Sequence, residues 1–566
     1  MIPERLVELW EDLRWGSRRA LGRLDAEGTK SADARRVFRR RRQAAVIVLV
    51  LVLYAVFRFV PVPGLPCEVS PAKSCVPTDH AIALVPIDAE AYLHIDLDPG
   101  SSQFSTARDL ASRLPHSGEI EQGIFSALGL GPRLELRSDI APWIGDEAAF
   151  AELRGGTPQP LVLLAVKDRK AAQSFLTKLG PGKPRLVKNG SAPFLAYRNG
   201  LAYADLHGFL ALGPAPAVRA AIDTGRGRSK ALSDSVQASA VRDSLPDQRL
   251  ADAYFSAQGT KQLLAGSGGL ALQLDTFVDF GASDGIAAAL FAHHNGLELQ
   301  LHSALASTKG KANPTFFQAF PDFHPSLAGE FSPDTLLYLD IADPADTVRA
   351  LLREAKGTAP GLVAAFNRVE RQVRRGGVDI EKGVLPALGN EAAIGAVSGP
   401  AGPYLTAVFK GVDEDRARVQ MANLQAPLVA ALAPGRTGQA LSFDVKKLGD
   451  TVVRSVRISP TLNLAYAIFD GKLVVSTNPA GVRQAVQGGA DLGGSDAFKA
   501  ATSGASGGVS ALVFFNLEGL VRRAEPLGLG QIVGGFGADV AKLKALGLTV
   551  RSDEDELKTT LFLNIE

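Results

Sequence analysis

The chain has 566 residues, 46% of them apolar and 21% charged, proportions that exclude wholesale disorder and collagen-like repetition. Lys plus Arg number 61 against 59 Asp plus Glu, a formal charge of +2, which excludes a nucleic-acid binder coated in basic charge. The two cysteines exclude a disulfide-dense scaffold and a multi-cysteine metal protein.

The even charge hides an asymmetry. Residues 1–43 carry twelve Lys/Arg and seven Asp/Glu, a net of +5, and the remainder carries −3. Arg35, Arg36, Arg39, Arg40, Arg41 and Arg42 crowd the end of this basic tail. Ile2, Leu6, Leu9, Trp10, Leu13, Leu21 and Leu24 recur at helical spacing within residues 2–24. That pattern fits an amphipathic helix on a membrane surface, a short helix that packs on a partner, or a partly ordered tail, and these readings stay open.

Ala44–Phe57 follows without a charge, and Arg58, Phe59 and Val60 extend the run to residue 60. A span needs at least about 17 residues. The run reaches that length if the Arg58 side chain reaches the far headgroups. The run is apolar on every face, unlike an amphipathic core helix. No small-residue cleavage site of a signal peptide follows. The expectation is a transmembrane helix over 44–60. The arginines before it hold the N-terminus in the cytoplasm and put the bulk of the chain outside it. The lipid bilayer is then the first expected partner.

Residues 61–79 form a Pro-rich stalk with Pro61, Pro63, Pro66, Pro71 and Pro77. Cys67 and Cys75 lie in it, and outside the cytoplasm two near cysteines are expected to pair. A metal site with His80 as a third ligand is not expected there.

The remainder reads as one unit written twice, over 80–306 and 325–566, with a linker at 307–324. DIAPWIGDEAAFAEL from Asp139 resembles GVLPALGNEAAIGAV from Gly383. AYLHIDLDP from Ala91 resembles LYLDIADP from Leu337. Three further blocks recur in the same order, beginning at Leu161 and Leu405, Ala202 and Ala465, and Ala251 and Ala511. The shift between copies grows along the chain, which places an insertion near 426–457. Each copy begins with a strand, 93–97 in the first, followed by Asp-Pro. The expectation is that Asp98 and Asp343 cap helices, with Pro99 and Pro344 at the first helical position. Strands are expected at 148–153, 161–166, 194–197, 202–206 and 209–212, and helices at 171–179 and 216–222. Hairpin turns are expected at His207-Gly208, Asp470-Gly471 and Asn295-Gly296. Many hairpins with segregated helices indicate an α+β fold: two tandem related repeats, each a largely antiparallel sheet with helices, after the membrane helix.

Reactive constellations are scarce. Gly504–Gly508 matches a nucleophile-elbow pattern, but a helical segment precedes it and a strand follows, the reverse of what that motif needs. Gly528–Gly537 lacks the ending of a phosphate loop. His293, His294 and His302 sit around a hairpin end, where neighbouring strand residues face opposite ways. Asp96 and Asp98 form a close acid pair, yet only the Asp-Pro recurs in the second copy. No catalytic, metal or cofactor residues are assigned.

YLHIDLDPG, the Pro-Trp-Ile-Gly-Asp-Glu turn, VLLAVKDRKAAQSFLTKL and SLPDQRLADAYFSAQG together resemble the bacterial domain of unknown function 3352 family. Leu245-Pro246-Asp247 and Ala253-Tyr254 fit its "Leu-Pro-Asp … Ala-Tyr" strand. The second copy departs from the pattern, with Ala387 in place of Trp143 and Asn390 in place of Asp146. The resemblance implies a membrane-anchored envelope protein and carries no activity or ligand. The expected function is non-enzymatic binding or scaffolding in the cell envelope, with a lipid, a cell-wall component or a protein as ligand. The alternatives are a lipid-transfer ectodomain and an envelope hydrolase with scattered catalytic residues.

Overall fold

The computed structural model describes residues 78–566 apart from 116–135, 156–158, 180–181, 189–192, 268–282, 306–320, 359, 401, 433–441, 461, 490, 525–536 and 553–555. The basic tail with its arginines, the apolar run 44–60 with Arg58, and Cys67 and Cys75 lie outside the described residues. Among the described residues no helix is long and apolar enough to cross a membrane.

The fold is α+β. The first half runs β1 (Ala91–Asp96), α1 (Ser102–Ser112), β2 (Ile144–Leu153), β3 (Gln159–Val166), α2 (Arg169–Leu179), β4 (Arg185–Val187), β5 (Phe194–Ala196), β6 (Leu201–Leu206), β7 (Phe209–Pro214), α3 (Ala215–Gly225), α4 (Val236–Arg242), β8 (Ala251–Ser256), α5 (Ala257–Ser267), β9 (Ser283–His293) and β10 (Gly296–Leu305). The second runs β11 (Thr335–Ala342), α6 (Pro344–Thr358), α7 (Pro360–Arg375), β12 (Glu391–Val397), β13 (Tyr404–Lys410), α8 (Glu414–Leu432), β14 (Asp444–Leu448), β15 (Thr451–Arg457), β16 (Asn463–Phe469), β17 (Lys472–Ser476), α9 (Pro479–Gln487), α10 (Asp496–Ala501), β18 (Ala511–Asn516), α11 (Leu517–Ala524), α12 (Gly537–Val540), β19 (Leu543–Ser552) and β20 (Glu556–Ile565). Single π-helical turns, Leu136–Ile140 and Ile380–Val384, come before β2 and β12.

All twenty strands belong to one sheet. Its spatial order reads β4-β5-β6-β7-β3-β2-β1-β8-β9-β10, then β20-β19-β18-β11-β12-β13-β17-β16-β15-β14, and each neighbouring pair is antiparallel. Each strand of the first ten thus has a counterpart at the mirror place in the second ten. The seam is β10 against β20, paired from Gly296–Asn564 to Ala304–Glu556. Asn295 reinforces it: its carbonyl accepts from Ile565 N (2.9 Å) and Asn564 Nδ2 (2.7 Å). Ile565, from the last strand, is buried in the same apolar cluster as Trp143 and Phe175.

Alternation along the strands builds a core on each face. Leu93 and Ile95 point to one face, where they pack with Phe104 and Leu110 of α1 and Phe175 and Leu176 of α2. Tyr92 points to the other, with Val218 and Ile222 of α3. The buried positions of α2, Ala172, Phe175, Leu176 and Leu179, recur at 3.6-residue spacing. In the second half Tyr338 occupies the place of Tyr92, packed edge-on to Phe331 and Phe498. The helix after β13 has 19 residues against 11 for the helix after β3.

His207 and Asp470 both adopt left-handed backbone, with φ of 50° and 48°. Each is followed by a glycine that is also left-handed, the geometry of a two-residue hairpin turn. The β9–β10 hairpin turns on His294-Asn295, one residue earlier than expected, because Gly296 already pairs with His293.

One expected cap is corrected. Asp98 does not cap α1: the cap is Ser101, whose side chain accepts from Phe104 N, and the Asp98 carboxylate accepts from Gly100 N (2.8 Å) within the preceding turn. Ser101 lies next to the first helical residue, so it reaches the free N–H groups that Asp98 cannot. Asp343 does stand at the start of its helix, where its carbonyl accepts from Thr347 N (2.9 Å), with φ 43°.

Candidate functional site

Asp252 and His94 are opposed across β8 and β1. Both point to the face that carries α4. Tyr92, two residues from His94, points the same way, and Arg242 at the end of α4 lies over its ring, 5.5 Å from the centroid. Glu147 enters from β2. Asp79, in the segment that leads into the fold, completes the group.

The contacts are dense. Arg242 donates to Asp252 Oδ2 through Nε (2.9 Å) and Nη2 (2.7 Å), and to Asp79 Oδ2 through Nη2 (2.6 Å). Arg249 Nε donates to Asp252 Oδ1 (3.0 Å), and its Nη1 donates to the Pro246 carbonyl (3.0 Å). The Tyr92 hydroxyl donates to Asp79 Oδ1 (2.6 Å), which also accepts from Ile82 N (3.1 Å). His94 Nδ1 is 3.5 Å from Asp252 Oδ1, and its Nε2 is 3.3 Å from Glu147 Oε2. Glu147 accepts from the His80 backbone N–H (3.0 Å) and lies 3.0 Å from His80 Nδ1. His94 is 1% exposed and Asp252 2%.

Buried charges survive only when paired. Three carboxylates face two guanidiniums, and His94 supplies the balance. Burial by itself would lower the His94 pKa, but its contacts with Asp252 and Glu147 outweigh it and push the imidazole up to about 10. Burial would raise both acids; His94 and its neighbours hold them below the usual carboxylate range, with Arg242 and Arg249 acting on Asp252 and His80 on Glu147. Burial, then Asp79, drives the Tyr92 hydroxyl well above its ordinary value.

The second half has no such network at the mirror place. Asp340 stands where His94 does, and Leu512 stands where Asp252 does. Tyr338 donates to Asp340 Oδ2 (2.6 Å). Burial pushes the Asp340 carboxyl up to about 8. Glu391 keeps the role of Glu147: it accepts from Ser326 N (2.6 Å) and Oγ (2.7 Å).

Other residues singled out in the sequence play structural parts. Asp96 accepts from Asp98 N (2.9 Å), which closes the turn after β1. His302 contacts Glu556 Oε1 (2.6 Å) across the seam, whereas His293 pairs with Glu298 (3.0 Å). Trp143 is 1% exposed, donates from Nε1 to the Asp139 carbonyl (2.6 Å) and packs on Phe175. Gly504–Gly507 lies in a 3-10 turn between α10 and β18. Two surface depressions, of about 440 and 300 Å³, lie along α4 and α9; Ser, Asp and Ala with Val236 line the first, and Arg483, Gln484 and Gln487 with small residues line the second.

Sequence reasoning missed the network. Its signal was a charged residue at an inward position of an apolar strand, as with His94 in AYLHID and Asp252 in ADAYFS. The stretches that carry the family resemblance converge on it: YLHIDLDPG supplies Tyr92 and His94, the Trp-Ile-Gly-Asp-Glu turn supplies Glu147, and SLPDQRLADAYF supplies Arg249 and Asp252.

The chain belongs to the family described as protein of unknown function (DUF3352), which it matches over residues 43–565. No curated protein matches. Among solved structures, TP0453 in its crystal form III has 9% identity and a TM-score of 0.25, covering 43% of this chain and 89% of its own. Crystal form I of TP0453 gives 10% identity, a TM-score of 0.25 and coverages of 44% and 89%. Scores of this size transfer neither fold nor function.

Proposed function

We propose that this is a single-pass, membrane-anchored protein of the bacterial cell envelope, with its N-terminus in the cytoplasm and a non-enzymatic binding or scaffolding ectodomain. That ectodomain is a tandem duplication of one α+β unit, and its two copies act as one body. The observation that carries the reading is the seam: β10 and β20 join two ten-strand halves of matching order into one antiparallel sheet. A sheet of that extent is a platform. The acidic and basic side chains that the family's motifs bring together mostly pair with one another in the interior, which favours a structural core over a hydrolytic cleft. The anchor rests on the apolar run 44–60 and the arginines before it. The stalk cysteines, Cys67 and Cys75, form a disulfide beyond the membrane.

Purification of the full chain from native membranes, with mass spectrometry of what co-purifies, tests this. The expected result is a reproducible envelope component and no turnover of an esterase and peptidase panel; turnover by the purified chain contradicts the reading. A cysteine reporter near residue 30 is expected to resist labelling from outside intact cells, and labelling there overturns the topology.

A further inference from the structure

We propose that Asp79, His94 and Glu147 form a binding site for a divalent transition-metal ion of the zinc type, which fastens the chain leaving the stalk to the first half of the sheet. One ligand atom from each lies within 4.8 Å of the others. His94 is 1% exposed, and its Nε2 makes no hydrogen bond among the described residues although it faces Glu147 Oε2 at 3.3 Å. The Glu147 carboxylate there is held as an ion pair without hydrogen-bond geometry, and an ion between the two would give both a direct ligand bond. The spacing fits the ion: two ligands about 2.0–2.1 Å from a tetrahedral zinc stand roughly 3.3–3.4 Å apart.

The surroundings match those of a metal-bound histidine. The Asp252 carboxylate lies beside Nδ1 (3.5 Å), which holds that proton in place and turns Nε2 toward the ion. Arg242 and Arg249 fix Asp252 in turn. Glu147 is steadied by His80, whose side chain is 71% exposed and marks the way in from solvent. Asp79 accepts one bond at Oδ2, from Arg242, and a carboxylate oxygen has room for a second. Loading replaces the Nε2 proton of His94, which leaves to solvent; the one positive charge this adds is offset when the fourth ligand is a water that gives up a proton to become hydroxide. The ligand set of one imidazole and two carboxylates, with water or His80 as the fourth, is borderline in softness and suits zinc. In the second half Ser326 replaces His80 and Asp340 replaces His94, so among the described residues the cluster has no counterpart there.

The test uses the full-length chain in detergent, without a histidine tag and stripped by chelator, titrated with Zn²⁺ alone by calorimetry. One ion per chain is expected, and the Cys67→Ser/Cys75→Ser variant should bind it equally well. His94→Gln should abolish uptake. His80→Ala, an exposed position that leaves the fold intact, should weaken it about tenfold. Co²⁺ in place of zinc should give the visible absorption of a four-coordinate site. No uptake by folded wild-type chain, or an affinity unchanged in folded His94→Gln, overturns the proposal; should His94→Gln fail to fold, an affinity unchanged in His80→Ala overturns it.

Discussion

At one place in the sheet the first half keeps three carboxylates, two guanidiniums and an imidazole, and the second half keeps one tyrosine and two acids, Asp340 and Glu391. On β1, His94 has Asp252 beside it; on β11, Asp340 has Leu512. The difference shows what buried charge requires. Where the partners are complete, Asp252 stays ionised although it is 2% exposed. Where they are missing, the acid is held toward its neutral form and settles for a hydrogen bond from Tyr338. The same backbone thus supports a densely ion-paired interior and a sparsely charged one, and side-chain inventory decides which.

The comparison breaks most sharply at Asp252. Asp252→Ala leaves Arg242 and Arg249 without their shared carboxylate, and the unfolding free energy from denaturant titration should fall by about 3–5 kcal/mol. A loss under about 1 kcal/mol would mean that the network contributes little.

Trp143→Ala should cost about 3–5 kcal/mol, because the site is closed on all sides and cannot collapse. Ala387 shows that the second half manages without the indole, so the thermal transition should shift while the second half's near-ultraviolet signals persist.

Asp340 gives the pH dependence. Its folded pKa, about 8, lies above the unfolded value of 3.8. Between about pH 4 and 8 the folded chain therefore holds more protons than the unfolded one, and stability falls as pH rises through that window. Asp340→Asn, which still accepts from Tyr338, should remove this slope and stabilise the chain at pH 8 by on the order of a few kcal/mol. Parallel pH profiles of wild type and variant would contradict the assignment.

The smallest effect concerns the first helix. Ser101→Ala should cost about 1 kcal/mol, the loss of a cap, and Asp98→Ala less than half of that. Equal losses would restore Asp98 to the capping role.

These contrasts follow what can and cannot be read locally. Strand alternation, the hairpin turns at His207-Gly208 and Asp470-Gly471 and the apolar face of α2 are properties of a few consecutive residues, and they were legible. The cap at α1 was misplaced because Asp-Pro and Ser both offer a start, and only the backbone path selects between them. The network was hidden for another reason. Arg242 meets Asp79 across 163 positions and His80 meets Glu147 across 67, so composition near either partner holds no sign of the other. The seam is harder still: the β10–β20 pairs join residues such as His302 and Glu556, separated by 254 positions.

Gly296 makes the seam a place to probe. A Cβ there would meet the Leu563 carbonyl oxygen at 2.1 Å, so the strands approach closely only because the side chain is absent. The most direct test of the single-sheet account is amide hydrogen exchange along β10 and β20 in the full-length chain. The account predicts that Leu299 and Leu301 exchange as slowly as Leu93 and Ile95 in β1, and that Gly296→Val speeds exchange at the seam first. Fast, loop-like exchange along β10 and β20 in the wild-type chain, with both halves still protected, would mean two independent domains and would contradict it.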